Sequence, residues 1–117
     1  MAEWHSIGPQ DMLAVGAMQR VEVAGEALLL ARLEDGYFAT QARCPHLGAQ
    51  LTRGQLEGEV IVCPAHGSRF DVRTGKCVGW LGELPGVVKS AAQALSKPKD
   101  LTTYPVSVRD GQVWVEI

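Results

Sequence analysis

The sequence lacks long apolar runs and any large excess of one charge. Its 117 residues contain 11 lysines and arginines against 13 aspartates and glutamates, a formal net charge of −2. This balance gives no basic field for binding nucleic acid. No apolar stretch approaches the ~20 residues of a membrane span, and the start, MAEWHSIG, has neither a basic region nor an apolar core typical of a signal peptide. We therefore expect a cytoplasmic protein that binds neither nucleic acid nor membranes.

Cysteine is also scarce. Three cysteines cannot all pair within the chain, which argues against a disulfide framework. At this length the chain can bury a core without disulfides or metal, so we expect one domain over residues 1–117. Cys77 lies outside the two motifs described below, and we expect it to be a small, buried apolar residue.

Much of the chain alternates apolar and polar residues in short runs separated by Gly, Asp-Gly or Pro. This two-residue period is typical of antiparallel strands. Strands are predicted over residues 18–23, 27–33, 37–41, 60–62, 69–72, 104–108 and 112–116. The sequence therefore predicts an all-β fold.

One stretch departs from the strand pattern. Residues 86–97, GVVKSAAQALSK, place apolar side chains at helical spacing and are followed by Pro98. A short helix is predicted there, with its apolar face packed on the sheet.

Two short motifs can carry chemistry. Cys44 and His46 form C-x-H, sixteen residues intervene, and Cys63 and His66 then form C-x-x-H. Two thiolates and two imidazoles can hold one Zn²⁺ tetrahedrally, or they can hold a two-iron, two-sulfide cluster. The cluster fits better, because a Cys and a His so close together beside Pro and Gly would let two similar loops meet tip to tip. Each loop would then give one thiolate and one imidazole.

The stretches CPHLGAQL (residues 44–51) and CPAHGSRFDVRTGK (residues 63–76) resemble the Rieske-type [2Fe-2S] proteins. The strands before the first motif and the closing YPVSVRDGQVWVEI are also similar to a small Rieske ferredoxin. The resemblance implies an antiparallel β-sandwich with a cluster-binding subdomain, at about residues 43–80, at one tip. It implies one [2Fe-2S] cluster, with Cys44 and Cys63 on the buried iron and His46 and His66 on the outer iron, where electrons leave.

Mixed ligation affects the reduction potential. Two neutral imidazoles in place of two thiolates make the cluster less negative, and Rieske centres lie at roughly −150 to +300 mV against about −400 mV for all-cysteine plant-type clusters. The high-potential respiratory relatives carry an extra cysteine in each motif and a tyrosine that bonds a ligand sulfur. The matching positions here are Ala49, Ala65 and Phe70, whereas Ser68 matches their serine. We predict a low, ferredoxin-like potential, raised modestly by Ser68.

Other residues near the motifs are expected to shape the cluster's surroundings. One group is predicted to form an apolar collar around the tip, or simply to pack there: Leu47, Trp80 and Leu81. A second group is predicted to bend the loops so that backbone N–H groups face the sulfides: Pro45, Gly48, Pro64 and Gly67.

The chain offers no second His-His-carboxylate set for a mononuclear iron and no Gly-rich nucleotide-binding turn. We therefore expect an electron carrier rather than a complete enzyme. The resemblance implies a monomeric ferredoxin component of an aromatic-ring-hydroxylating dioxygenase, in aromatic hydrocarbon catabolism. It would accept electrons from a flavin-containing NAD(P)H-dependent ferredoxin reductase and pass them to the terminal Rieske oxygenase.

Two alternatives stay open. One is the small Rieske subunit of an assimilatory nitrite reductase, which would remain bound to a large partner. The other is a zinc-stabilised binding module without a redox role, which would be colourless. The helix predicted over residues 86–97 departs from the shorter connection expected in dioxygenase ferredoxins.

Overall fold

The computed structural model describes residues 2–45, 48–65, 67–80, 86–87 and 98–117. Within these ranges the chain forms eleven β-strands and one 3₁₀ turn, Leu51–Arg53. The strands are β1 (Trp4–Pro9), β2 (Met18–Val23), β3 (Glu26–Leu33), β4 (Gly36–Gln41), β5 (Gln55–Glu57), β6 (Val60–Val62), β7 (Arg69–Asp71), β8 (Cys77–Gly79), β9 (Thr103–Tyr104), β10 (Val106–Arg109) and β11 (Gln112–Glu116).

The strands make three antiparallel sheets, with the orders β1-β11-β10, β2-β3-β4-β9 and β5-β6-β7-β8. Two-residue turns join β2 to β3 and β10 to β11, at Ala24-Gly25 and Asp110-Gly111, and all four residues have positive φ. Such turns match the right-handed twist of the strands that they connect. They set the register in which Val23 faces Glu26 and Arg109 faces Gln112.

Strand β3 explains how the three sheets are layered. Its residues Leu28 and Leu30 belong to one apolar cluster, which also contains Val113 and Val115 of β11. Because successive side chains in a strand point to opposite faces, Leu29 belongs instead to a second cluster, together with residues from the β5–β8 sheet. The sheet containing β3 therefore lies between the other two.

The predicted strands agree closely with the observed ones. Strands β2, β6 and β11 have the predicted bounds, β3 and β4 each begin one residue earlier, and β7 ends one residue earlier. The strand predicted over residues 104–108 is divided into β9 and β10 at Pro105, which has no N–H to donate to a ladder. Strands β1, β5 and β8 were not predicted.

The helix predicted over residues 86–97 lies outside the described residues, except for Gly86 and Val87, which are helical. Among the residues that the structure describes, no helix has the length and apolar character needed to cross a membrane.

Candidate metal centre

The two motif cysteines lie in the same part of the core. Cys44 and Cys63 are each 3% exposed, and both belong to the apolar cluster that includes Ile61 and Phe70. Cys44 comes three residues after the end of β4, and Cys63 directly follows β6. Two soft sulfur donors are thus buried together in apolar surroundings.

The loops that follow these cysteines have the same backbone hydrogen bonds. The Cys44 N–H donates to the Ala49 carbonyl at 2.8 Å, and the Cys63 N–H donates to the Ser68 carbonyl, five residues on, also at 2.8 Å. In the reverse direction, Gly48 donates to the Cys44 carbonyl at 2.9 Å and Gly67 to the Cys63 carbonyl at 3.1 Å. The two Cys-Pro-x-x-Gly sequences therefore form the similar loops that the motifs predicted.

The glycine in each loop is required by its backbone conformation. Gly48 has φ 75° and Gly67 has φ 72°, in the left-handed region where a residue with a Cβ is strained. Both glycines thus bend their loops, and their own N–H groups donate to the cysteine carbonyls; that other N–H groups face the sulfides stays a prediction.

Antiparallel pairs close both loops at equivalent positions, one residue before the cysteine and six after it. In the second loop the pair is Val62 with Arg69, which belongs to the β6–β7 ladder. In the first loop it is Arg43 with Gln50, a single bridge outside the named strands. The second loop therefore rests on a sheet, and the first does not.

Side chains add support to the first loop. Arg43 Nη1 donates to the Gly48 carbonyl at 2.9 Å, and Gln41 Nε2 donates to the Arg43 carbonyl at 2.7 Å. Gln41 Oε1 in turn accepts the Thr102 N–H at 2.8 Å. Sequence reasoning missed Arg43 and Gln41, because these polar residues beside a cysteine have no pattern that marks them as loop supports.

The residues predicted to surround the cluster are largely buried. Ser68 is 1% exposed and Phe70 is fully buried, and the Phe70 ring meets the Trp80 ring edge to face at a centroid distance of 6.5 Å. Trp80 is itself buried in the same apolar cluster and packs there. The remaining predicted site residues lie outside the described residues: His46, His66, Leu47 and Leu81.

Cys77 is half-buried on β8, which corrects the expectation of a fully buried residue. It packs against the apolar cluster of the motif cysteines, and burial raises the pKa of its thiol. Its N–H donates to Asp100 Oδ1 at 2.8 Å. The short strand β8 exposes part of the side chain, so Cys77 is a partly covered thiol.

An ion-pair network connects the β5–β8 sheet to the central sheet. Arg73, after β7, pairs through two nitrogens with Asp35 in the β3–β4 turn and through Nε with Glu59 at 2.9 Å. Its guanidinium also lies 5.0 Å from the centre of the Phe38 ring. Hydrogen bonding from Arg73 lowers the pKa of Asp35, and hydrogen bonds to Asp35 and Glu59 raise the pKa of Arg73.

Comparison with known proteins identifies this architecture. Residues 3–105 match the Rieske [2Fe-2S] domain family. The chain is 33% identical over 116 residues to the ferredoxin component of the naphthalene 1,2-dioxygenase/salicylate 5-hydroxylase systems of a Ralstonia species, covering 97% of this chain and 95% of that protein. The chain therefore belongs to the Rieske [2Fe-2S] domain family.

Solved structures agree. The ferredoxin of carbazole 1,9a-dioxygenase from Nocardioides aromaticivorans IC177 is similar with a TM-score of 0.76 and 27% identity, over 96% of this chain and 95% of that one. A chain in the complex of reduced oxygenase and oxidized ferredoxin of carbazole 1,9a-dioxygenase is similar with a TM-score of 0.75 and 30% identity, over 96% and 91%. These findings confirm the predicted all-β Rieske fold, the [2Fe-2S] cofactor and the role of an electron-transfer ferredoxin rather than a complete enzyme.

The described residues fit such a cluster. Thiolates are the ligands that iron-sulfur clusters use most, and the two motif cysteines are both buried in one apolar cluster, at equivalent places in two similar loops. The family match also favours a cluster over the zinc alternative.

Proposed function

We propose that this protein is a Rieske ferredoxin that carries single electrons from a flavin-containing NAD(P)H-dependent ferredoxin reductase to the terminal oxygenase of an aromatic-ring-hydroxylating dioxygenase. The observation that carries the proposal is the pair of equivalent loops, with Cys44 and Cys63 buried together. Relatives that are themselves ferredoxin components support the pathway, and the solved complex of an oxygenase with its ferredoxin supports the acceptor. A single domain, a monomeric state and a cytoplasmic location belong to the same proposal.

The ligands that we propose are Cys44 and Cys63 for the inner iron and His46 and His66 for the outer iron. A bound [2Fe-2S] cluster supplies a one-electron couple. The change in burial along the second loop supports this order, because Cys63 is buried whereas Pro64 and Ala65 are exposed. A partner protein can approach this exposed part of the loop, formed by Pro64 and Ala65.

The protein's own residues set the surroundings of the thiolates. Phe70 is fully buried among the residues that pack with both cysteines, so it keeps water from that side of the site. Phenylalanine has no hydroxyl to donate to a sulfur, and hydrogen bonds to the sulfurs are one of the ways in which proteins raise cluster potentials. A low potential, suited to accepting electrons from a reductase, is part of the proposal.

The experiment that tests the function is electron paramagnetic resonance (EPR) spectroscopy of the dithionite-reduced protein, with iron, acid-labile sulfide and zinc measured on the same sample. We expect about two irons and two sulfides per chain and an average g below that of all-cysteine clusters. A colourless, EPR-silent protein with about one zinc would overturn the proposal. Size-exclusion chromatography separates the remaining alternative, since a nitrite reductase subunit would elute with its large partner.

The ligand assignment has a matched control, because the chain contains one further histidine, His5 on β1. We expect His66→Cys to add negative charge to the cluster and lower its midpoint potential, or to abolish cluster uptake. His5→Cys should leave both the spectrum and the midpoint unchanged. An unaltered midpoint in the His66→Cys protein would refute the ligand role.

A further inference from the structure

The two cysteine loops share their internal hydrogen bonds but differ in what holds them at the base. The second loop is closed by Val62 and Arg69, whose strands continue into a four-stranded sheet. The first loop is closed by one isolated bridge between Arg43 and Gln50. An isolated bridge can open without breaking adjacent strand pairs, because no strand ladder continues from it. The first loop therefore needs another support.

Arg43 provides this support. Its side chain reaches from the position before Cys44 to the Gly48 carbonyl, four residues after Cys44, with an Nη1 to O distance of 2.9 Å. At the equivalent position of the second loop, Val62 is apolar and buried and cannot make such a bond. The side-chain bond thus occurs in the loop that lacks a sheet.

Gln41 in turn fixes the position of Arg43. Gln41 Nε2 donates to the Arg43 carbonyl at 2.7 Å, while Gln41 Oε1 accepts the Thr102 N–H at 2.8 Å. The Gln41 N–H also donates to the Thr102 carbonyl at 2.9 Å. A series of hydrogen bonds therefore runs from the segment entering β9, through Gln41 and Arg43, to the end of the first loop.

We propose that Arg43 is a positioning residue for the first cluster-binding loop, holding the Gly48 carbonyl in place and so fixing the end of the loop relative to its start at Arg43. This role rests on the proposed function, because the loop is positioned for a cluster ligand. The bond is exposed to water, so we expect a moderate effect rather than loss of folding.

The test compares Arg43→Gln with the matched control Arg53→Gln. Arg53 is an exposed arginine in the 3₁₀ turn that lines a small cavity with Cys63 and Pro64, so its replacement changes the charge near the second loop to the same extent. The glutamine side chain is two atoms shorter than arginine and does not reach the Gly48 carbonyl. The readouts are the rate at which visible absorbance is lost to an iron chelator, and the EPR spectrum of the reduced protein.

We expect Arg43→Gln to lose its cluster about fivefold faster, the factor that corresponds to one ordinary hydrogen bond, and to show broadened or shifted g values. Arg53→Gln should behave as the unchanged protein. Arg43→Lys keeps a charged donor of nearly the same reach and should restore most of the original rate and spectrum. If Arg43→Gln takes up too little iron to measure, Gln41→Glu replaces it: it keeps the acceptor for Thr102, removes the donor to Arg43, and should accelerate cluster loss.

An Arg43→Gln protein with the original rate and spectrum would overturn the positioning role. Equal changes in Arg43→Gln and Arg53→Gln would also overturn it, because they would show an effect of charge alone. Failure of the proposed function looks different, since the unchanged protein would then contain no iron or sulfide and would give no Rieske spectrum.

Discussion

Gly48 and Gly67 occupy the same place in two separate loops, each donating its N–H to the carbonyl of the cysteine four residues earlier, at 2.9 and 3.1 Å. Their φ angles, 75° and 72°, differ by little. The site is therefore built from two loops with the same internal backbone hydrogen bonds, in which the sequence places the histidine second after the cysteine in the first loop and third in the other. A cluster between such loops can receive one thiolate and one imidazole from each.

We expect Gly48→Ala to weaken this site through backbone strain alone. A Cβ at Gly48 would meet no atom of the described residues within 4 Å, so the expected cost is that of an L-residue in the left-handed region, about 1–2 kcal/mol. Gly25, in the β2–β3 turn, is a matched control with φ 83° and equally open surroundings. Urea unfolding should show a similar loss of unfolding free energy for both variants, whereas only Gly48→Ala should lose its cluster faster to a chelator. Equal cluster retention in the two variants would contradict a special role of the loop.

Phe70→Tyr tests whether the missing hydroxyl keeps the potential low. Phe70 is fully buried in the apolar cluster that contains both cysteines, with its ring against Trp80, so an added hydroxyl must find a partner inside the protein. If it bonds a ligand sulfur, the midpoint should rise by up to roughly 40 mV, the one-electron equivalent of a hydrogen bond of about 1 kcal/mol. Potentiometric titration followed by EPR measures this shift.

The control for that change is Phe38→Tyr, which adds the same hydroxyl to a half-buried ring beside Arg73. The midpoint potential of Phe38→Tyr should equal that of the unchanged protein. A Phe70→Tyr protein that loses about 1–3 kcal/mol of stability at an unchanged midpoint would show that the hydroxyl stays unpaired and that position 70 does not tune the cluster.

Sequence patterns predicted the parts of the structure that depend on local periodicity. Strands β2 and β11 were found because their turns and their apolar alternation agree, and the three-residue β6 was found because all its residues are apolar and it flanks the second motif. The cysteine loops were found because Cys, Pro and Gly recur at fixed spacing. Strands β5 and β8 were missed because they are equally short but are not apolar throughout, and β1 because it pairs with β11 at the far end of the chain. The support from Arg43 depends on a single contact, which no sequence pattern encodes.

Cys77→Ala should leave the cluster intact. Cys77 lies on β8, outside both loops, and we expect the variant to keep about two irons and two sulfides per chain and the same EPR spectrum. In the unchanged holoprotein we expect one slow iodoacetamide adduct, at Cys77, because burial raises the pKa of its thiol above the ordinary 9.0. Mass spectrometry across a pH series should show the rate increasing only in alkaline solution. Loss of half or more of the iron in Cys77→Ala would mean that this thiol contributes to the site.

The pairing of Asp35 with Arg73 predicts a pH-dependent contribution to stability. Hydrogen bonding from Arg73 holds the pKa of Asp35 below its ordinary value of 3.8, so the carboxylate form is favoured in the folded protein. The stabilisation is therefore complete above about pH 4 to 5 and is lost as the pH falls through the lower, folded-state pKa. Asp35→Asn should lower the free energy of unfolding at pH 7, and the difference from the unchanged protein should shrink as the pH falls below 3.8.

The control for this network is Asp11→Asn, which removes the same charge from an exposed aspartate that has no ion pair among the described residues. Urea unfolding across an acid pH series should show the difference in unfolding free energy between the two variants decreasing as the pH falls below 3.8. High salt should reduce the difference, because the network is exposed to solvent. Since Arg73 joins the β3–β4 turn to Glu59 between β5 and β6, Asp35→Asn should loosen the cluster-binding sheet from the central one. Faster hydrogen exchange in β6 and β7 would show this loosening, and unchanged exchange there would limit the network to a local contact.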